Sequence, residues 1–318
     1  MNHTQLIETL IESKGATILL GNGYNRHISA IRKDKAPQSI PPSWEDLVIK
    51  VNNSLEARLV IDKELVEDRG ITNTELFTSI SLAYDEVCGC GRHSILPVHR
   101  AVAEFLVKET AHCAEIDELQ TIAKTLKKWD LPVITTNYDK QLEMCLGLNK
   151  YKTGYAQKTS LYYPVDYYYC DKKLTMEDLD SHFALWHCNG VVDYVNSLRL
   201  DLCDYCNYTA WLKKCVPMFG GTVKNEDIFR NSWLAPFFKN KLIILGLSLD
   251  PSEFFLRWLL IKRTVWRKEE LGEINNGYYL FGREEELSSG QRSFFKSVGI
   301  QTLEYDSRAR IYKELFGI

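Results

Sequence analysis

The sequence predicts an α/β fold: a Rossmann-like, mainly parallel sheet with helices on both faces, plus a smaller helical insertion. Three observations carry this expectation. Short aliphatic or β-branched runs recur at Ala16–Leu20, 131–136 and 241–246. Between them, apolar residues recur at spacings of three and four, the helical period. Each run then ends in a glycine-rich or polar cluster, where ligands of open parallel sheets bind.

The chain has 318 residues, 45% apolar and 12% aromatic, enough for a large core. It reads as one domain, 1–318, with a mostly helical insertion at about 45–130 and an irregular one at about 150–240. The net charge of -3 gives no whole-chain reason to expect nucleic acid or an anionic membrane as partner. The basic runs Lys213-Lys214 and 262–268 read as solvated helix faces. The opening MNHTQLIETLIESKG lacks the form of a secretory signal, and no stretch approaches ~18 consecutive apolar residues. Nine scattered cysteines read as reduced thiols, so a cytoplasmic location is expected.

The elements follow in order. Residues 4–14 form an amphipathic pattern, and Ala16–Leu20 is a short buried strand running into Gly21-Asn22-Gly23-Tyr24-Asn25. Pro37, Pro41 and Pro42 make 33–43 a loop, and Ser43 caps the next helix. Helical patterns run through 98–107 and 116–128 before the strand at 131–136. Tyr162, Tyr163, Tyr167, Tyr168 and Tyr169 suggest short strands, followed by Leu185-Trp186-His187-Cys188-Asn189-Gly190. After the strand at 241–246, Asp250-Pro251-Ser252-Glu253 has the form of a capped helix start. Residues 277–281 and 301–305 read as closing strands.

The strand ends hold the candidate site. Gly21-Asn22-Gly23 can present backbone N–H groups to a phosphate, or can be an ordinary strand–helix turn. It is not the G-x-G-x-x-G fingerprint, since Arg26 holds the third glycine's place. In Thr135-Thr136-Asn137-Tyr138-Asp139, Asn137 offers a donor and an acceptor to a ribose hydroxyl or a water, and Asp139 can cap the next helix. His187 is a candidate general base, or a structural histidine. Only Cys203-Asp204-Tyr205-Cys206 has Cys-x-x-Cys spacing, half of what a zinc ribbon needs, so no metal is expected.

Taken in order, these pieces form a pattern: strand-Gly-Asn-Gly, then Pro42-Ser43-Trp44-Glu45-Asp46-Leu47, then Thr135 to Asp139. A histidine ahead of a glycine follows, then Asp204-Tyr205 and Gly246-Leu247-Ser248-Leu249-Asp250. The set resembles the sirtuin-like NAD-hydrolysing domains of bacterial anti-phage defence, and more distantly the sirtuin deacylases, over roughly 16–260. The resemblance implies that Gly21, Asn22 and Gly23 hold the NAD phosphates, with Asn25 a further NAD contact. It implies Asn137 as the catalytic asparagine, Asp139 as its acidic follower and His187 as the catalytic histidine. It further implies Thr136, Asn189, Gly246, Ser248 and Asp250 as NAD contacts. The family's histidine directly precedes the glycine, where this chain has Asn189. Either the catalytic histidine is lost, or His187 serves from two residues back, on the same strand face.

The implied activity is hydrolysis of NAD to ADP-ribose and nicotinamide, depleting NAD in defence. It also implies silence until a partner, such as a HerA-type ATPase, or self-assembly into a homo-oligomer triggers the enzyme. A non-catalytic NAD or ADP-ribose sensor and a protein deacylase are the alternatives.

Overall fold

A computed structural model describes residues 2–32, 41, 43–55, 59–67, 70–88, 95–153, 164–165, 167–217, 223–249 and 253–318. The fold is α/β, as the strand–helix alternation predicts. Eight strands among these residues form one sheet: β1 Ala16–Leu20, β2 Val133–Thr135, β3 Asn149–Lys152, β4 Tyr167–Cys170, β5 Leu185–His187, β6 Lys241–Leu245, β7 Gly277–Gly282 and β8 Ile300–Tyr305. Their order is β3-β4-β5-β2-β1-β6-β7-β8. From β5 to β8 all neighbours are parallel, while β4 runs antiparallel to both β3 and β5.

β1 is central and every residue in it is buried. That explains its continuous apolar reading, since strands covered on both faces need not alternate. Ile18, Leu19 and Leu20 each contribute roughly 1.5–3 kcal/mol of burial. The one polar member, Thr17, is satisfied: its hydroxyl donates to Pro236 O at 3.1 Å and accepts from Asn240 Nδ2 at 3.1 Å.

Between β1 and β2 the described residues are mainly helical, as the apolar periodicity requires. The helices are Gly23–Ile31, Trp44–Ser54, Lys63–Glu67, Asn73–Cys88, Leu96–Glu109 and Asp117–Trp129. Ser43 caps the second of these, its hydroxyl accepting from Asp46 N at 3.1 Å. β3 carries no apolar alternation, Asn-Lys-Tyr-Lys, and forms by pairing with the tyrosine-rich β4 at the sheet edge. Tyr162 and Tyr163 lie outside the described residues, as do Asp250, Pro251 and Ser252. The helix expected from Asp250 is observed as Phe254–Leu271. Among the described residues no helix is long and apolar enough to cross a membrane.

Candidate functional site

The sheet's connectivity sets the place of the site. From β1 the chain moves to β2 on one side, goes on to the edge strand β3, works back inward through β4 and β5, and crosses to β6 on the other side of β1. A crevice opens at the carboxyl ends of strands where the order reverses in this way. There the protein has a cleft of about 310 Å³, within the ordinary range for small-ligand sites. Its floor is made by residues just past four strands: Asn22 and Gly23 after β1, Thr136 to Tyr138 after β2, Asn189 after β5, and Gly246 to Ser248 after β6. Glu285 and Arg308 extend the lining past the end of β7. From β5 to β7 this is four strand spacings, roughly 19 Å.

The glycines are first of all spacers. Gly21 N–H donates to Leu245 O and Gly23 N–H to Gly246 O, both at 2.9 Å. A Cβ on Gly21 would lie 2.3 Å from Gly246 O, and one on Gly23 would lie 2.4 Å from Gly246 Cα. The two backbones meet only because neither has side chains there. Asn25 N–H donates to Asn22 O at 3.1 Å, so the turn offers a ligand at most the N–H groups of Asn22 and Tyr24. Gly21 and Asn25 were both expected to hold the ligand, yet neither lines the cleft. Asn25 is buried behind Asn22, to whose Oδ1 it donates at 2.8 Å.

Asn137 is fixed from three directions. Its N–H donates to Thr135 Oγ1 at 3.1 Å, its Nδ2 donates to the buried Tyr24 hydroxyl at 3.1 Å, and its carbonyl accepts from His187 Nδ1 at 2.6 Å. With Nδ2 engaged, the amide oxygen is left as the acceptor for a ligand hydroxyl. Asn189 reaches the same wall through the next strand. Its carbonyl accepts from Arg199 N at 3.0 Å, and Gly190 beside it turns with φ of +100°. A Cβ on Gly190 would meet Ser197 O at 2.2 Å. Tyr138 ties the two asparagines together: Val192 N–H donates to its carbonyl at 2.9 Å, and its hydroxyl donates to Arg199 O.

His187 takes a different place from the one expected of a catalytic base. It is buried below the wall and is not among the lining residues. Both ring nitrogens are engaged, Nδ1 by the Asn137 carbonyl and Nε2 by the Glu143 carboxylate. A carbonyl only accepts, so Nδ1 carries a proton. Burial pushes the imidazole down, but Glu143, the Asn137 carbonyl and Asp139 outweigh it and raise its pKa above the ordinary value. Side chains two apart on a strand share a face, but the chain leaves β5 at His187 and turns before Asn189. That turn separates the pair, and Asn189 takes the cleft.

Asp139 is also beneath the wall. It stands one residue ahead of the helix's N-cap, Lys140, and accepts from Gln141 N, the first helical residue, at 3.1 Å. Burial, with Glu143 nearby, pushes its carboxyl up to about 6 against the lowering by the Gln141 N–H and His187. Thus Asn22, Gly23, Thr136, Asn137, Asn189, Gly246 and Ser248 line one cleft, Gly21, Asn25, Asp139 and His187 support it from behind, and Asp250 lies outside the described residues.

The helical segments supply a wall that sequence reasoning missed. Trp44 and Glu45 come from one helix, and Asn73, Thr74 and Phe77 from another. Trp44 packs edge-on against Phe77 at 6.3 Å and Tyr138 at 5.5 Å. Two cations also face the cleft. Arg26 lies 4.0 Å from Glu45, and Arg308 pairs with Glu285 at 3.1 Å. Only the polar, capped start of the helix at 73 could have marked Asn73 and Thr74; nothing local marks Arg308. Below Asn189, Asp204 accepts from His99 at 2.7 Å and pairs with Arg199 at 3.4 Å. Burial pushes Asp204 up, but these partners hold it below the usual carboxylate range. Cys203 and Cys206 are exposed, and among the described residues no three His, Cys, Asp or Glu side chains gather as a metal site requires.

No protein-family model matches the chain, and neither does any curated protein.

Proposed function

We propose that the cleft binds NAD and that the chain hydrolyses it to ADP-ribose and nicotinamide. The observation that carries this reading is the pairing of Asn137 and Asn189 on one wall of a switch-point cleft. In the proposed complex the nicotinamide ribose lies at these asparagines, with a hydroxyl donating to Asn137 Oδ1. The diphosphate lies toward Asn22, Gly23 and Arg26, and Arg308 adds positive charge past β7. Trp44 and Phe77 exclude water from the aromatic side. The nicotinamide ring leaves neutral, so the protein's task is to position the ribose and to stabilise an oxocarbenium-like transition state.

A role in anti-phage defence through NAD depletion rests on the resemblance alone. So does activation by a HerA-type partner or by self-assembly, while a cytoplasmic location rests on reading the nine cysteines as reduced thiols. A second reading, a sensor that binds NAD without cleaving it, is favoured by the position of His187. The histidine is locked beneath the wall, and a non-titrating amide stands in the cleft.

Titration calorimetry with NAD, and chromatography of released nicotinamide with and without candidate activators, test both readings. The hydrolase reading expects binding and release. Binding with no release under any activating condition moves the assignment to the sensor. Absence of NAD binding overturns both.

A further inference from the structure

Hydrolysis requires a group that takes a proton from the attacking water. The Asn137 end of the cleft holds two amides and two phenols, and His187 is sequestered. Resting on the NAD-hydrolase reading, we propose that Glu253 is the catalytic carboxylate, accepting the water's proton at the asparagine end of the cleft.

Glu253 lines the cleft just ahead of the helix Phe254–Leu271, and its side chain makes no capping bond to that helix. Geometry brings it to the asparagine end. The rings of the next two residues, Phe254 and Phe255, pack on Tyr205 at 5.7 and 5.8 Å. The Tyr205 hydroxyl stands 3.4 Å from that of Tyr138, the residue after Asn137. Its charge is felt there too. Burial first, and Glu253 among the further causes, raises the pKa of Tyr138, of Tyr205 and of the Cys188 thiol beside Asn189. Phenols held neutral in this way cannot serve as the base.

The other two carboxylates of the lining stand away from the asparagines: Glu45 faces Arg26 at 4.0 Å, on the side proposed for the diphosphate, and Glu285 pairs with Arg308 past β7. In the proposed step, water oxygen bonds to ribose C1′ as the C1′–nitrogen bond breaks. The bonding pair leaves with nicotinamide, and Glu253 takes the water's proton and releases it to solvent. NAD and water thus give ADP-ribose, nicotinamide and one proton.

The test compares wild type, Glu253→Gln and Glu253→Ala by NAD calorimetry and nicotinamide release under conditions that activate the wild type. The Gln variant is expected to bind NAD within about threefold of wild type and to lose about a hundredfold or more of its release rate. Sodium formate, a small carboxylate that fits the vacated space, is expected to restore part of the Ala variant's activity. If both variants bind NAD and release nicotinamide at the wild-type rate, the role of Glu253 is overturned while the hydrolase stands. Loss of NAD binding in the Gln variant would make it a binding group and also overturn the role. A wild type that binds NAD and releases nothing removes the hydrolase reading, and Glu253's role with it.

Discussion

The two faces of the segment after β2 are built for opposite purposes. The upper face presents Asn137 and, across from it, Asn189: neutral amides that line the cleft. The lower face packs Asp139, Glu143 and His187, three ionisable groups that are all buried. Ionisable residues in a site region are commonly taken as its chemistry. Here the charged layer holds the neutral layer in place, through the His187 bond to the Asn137 carbonyl. Charge buried under a wall is a positioning device, and its loss should show first as lost stability.

The largest expected effect follows from this. His187→Ala removes the partner of a buried Glu143 carboxylate and of the Asn137 carbonyl. Breaking such a pair from one side costs about 3–5 kcal/mol. Urea denaturation is expected to show that loss. A variant that keeps wild-type stability but no longer turns over NAD would instead place His187 in the chemistry, and the contrast between the faces would collapse.

The lower face should also make stability depend on pH. Asp139 is raised from 3.8 to about 6, so the folded protein keeps a proton that the unfolded chain has already released. Its contribution is fully present below 3.8 and declines as pH rises toward about 6. His187 is raised from 6.5 by Glu143 against burial; its contribution is fully present below 6.5 and is lost as pH rises through the folded value. Both groups make the protein less stable as pH rises. Asp139→Asn is expected to remove the acid-side part of that slope, on the order of 3 kcal/mol. Urea midpoints measured across a pH series would show it. Parallel profiles for variant and wild type would mean that Asp139 does not titrate as described.

The upper face predicts the reverse balance of stability and function. Asn137→Ala leaves the buried Tyr24 hydroxyl without its donor, at about 1–2 kcal/mol. Nicotinamide release is expected to fall about a hundredfold, as when a preorganised transition-state group is removed. A variant with near-normal release would dismiss Asn137 as the centre of the site.

How much of this was legible in the sequence divides along the same line. β1, β2 and β6 were legible because strands buried on both faces leave unbroken apolar runs, and their polar ends marked the cleft. Asn137 followed directly from its place after β2. The facing of His187 was not legible. It depends on where β5 stops, and Gly190 with its positive φ records a turn that no periodicity reveals. The pairing of His187 with Glu143 spans 44 positions in the chain. Trp44, Phe77 and Arg308 enter from helices far away in sequence, so only tertiary packing brings them to the cleft.

The smallest effect on stability is expected at Asn189, and it gives the sharpest test of the contrast. The residue is held by its backbone, through the Arg199 N–H and the Gly190 turn, while its side chain accepts only a long 3.8 Å contact from Cys188 Sγ among the bonds described. Asn189→Ala should therefore change stability by no more than about 0.5 kcal/mol, as for a substitution that breaks no buried network. If the amide contacts the ligand, its loss weakens NAD binding by up to about tenfold, the worth of one neutral hydrogen bond. Calorimetry and denaturation on the same preparation separate the two quantities. A large stability loss with unchanged binding would show that Asn189 belongs with the supporting layer, and that the wall of the cleft is Asn137 alone.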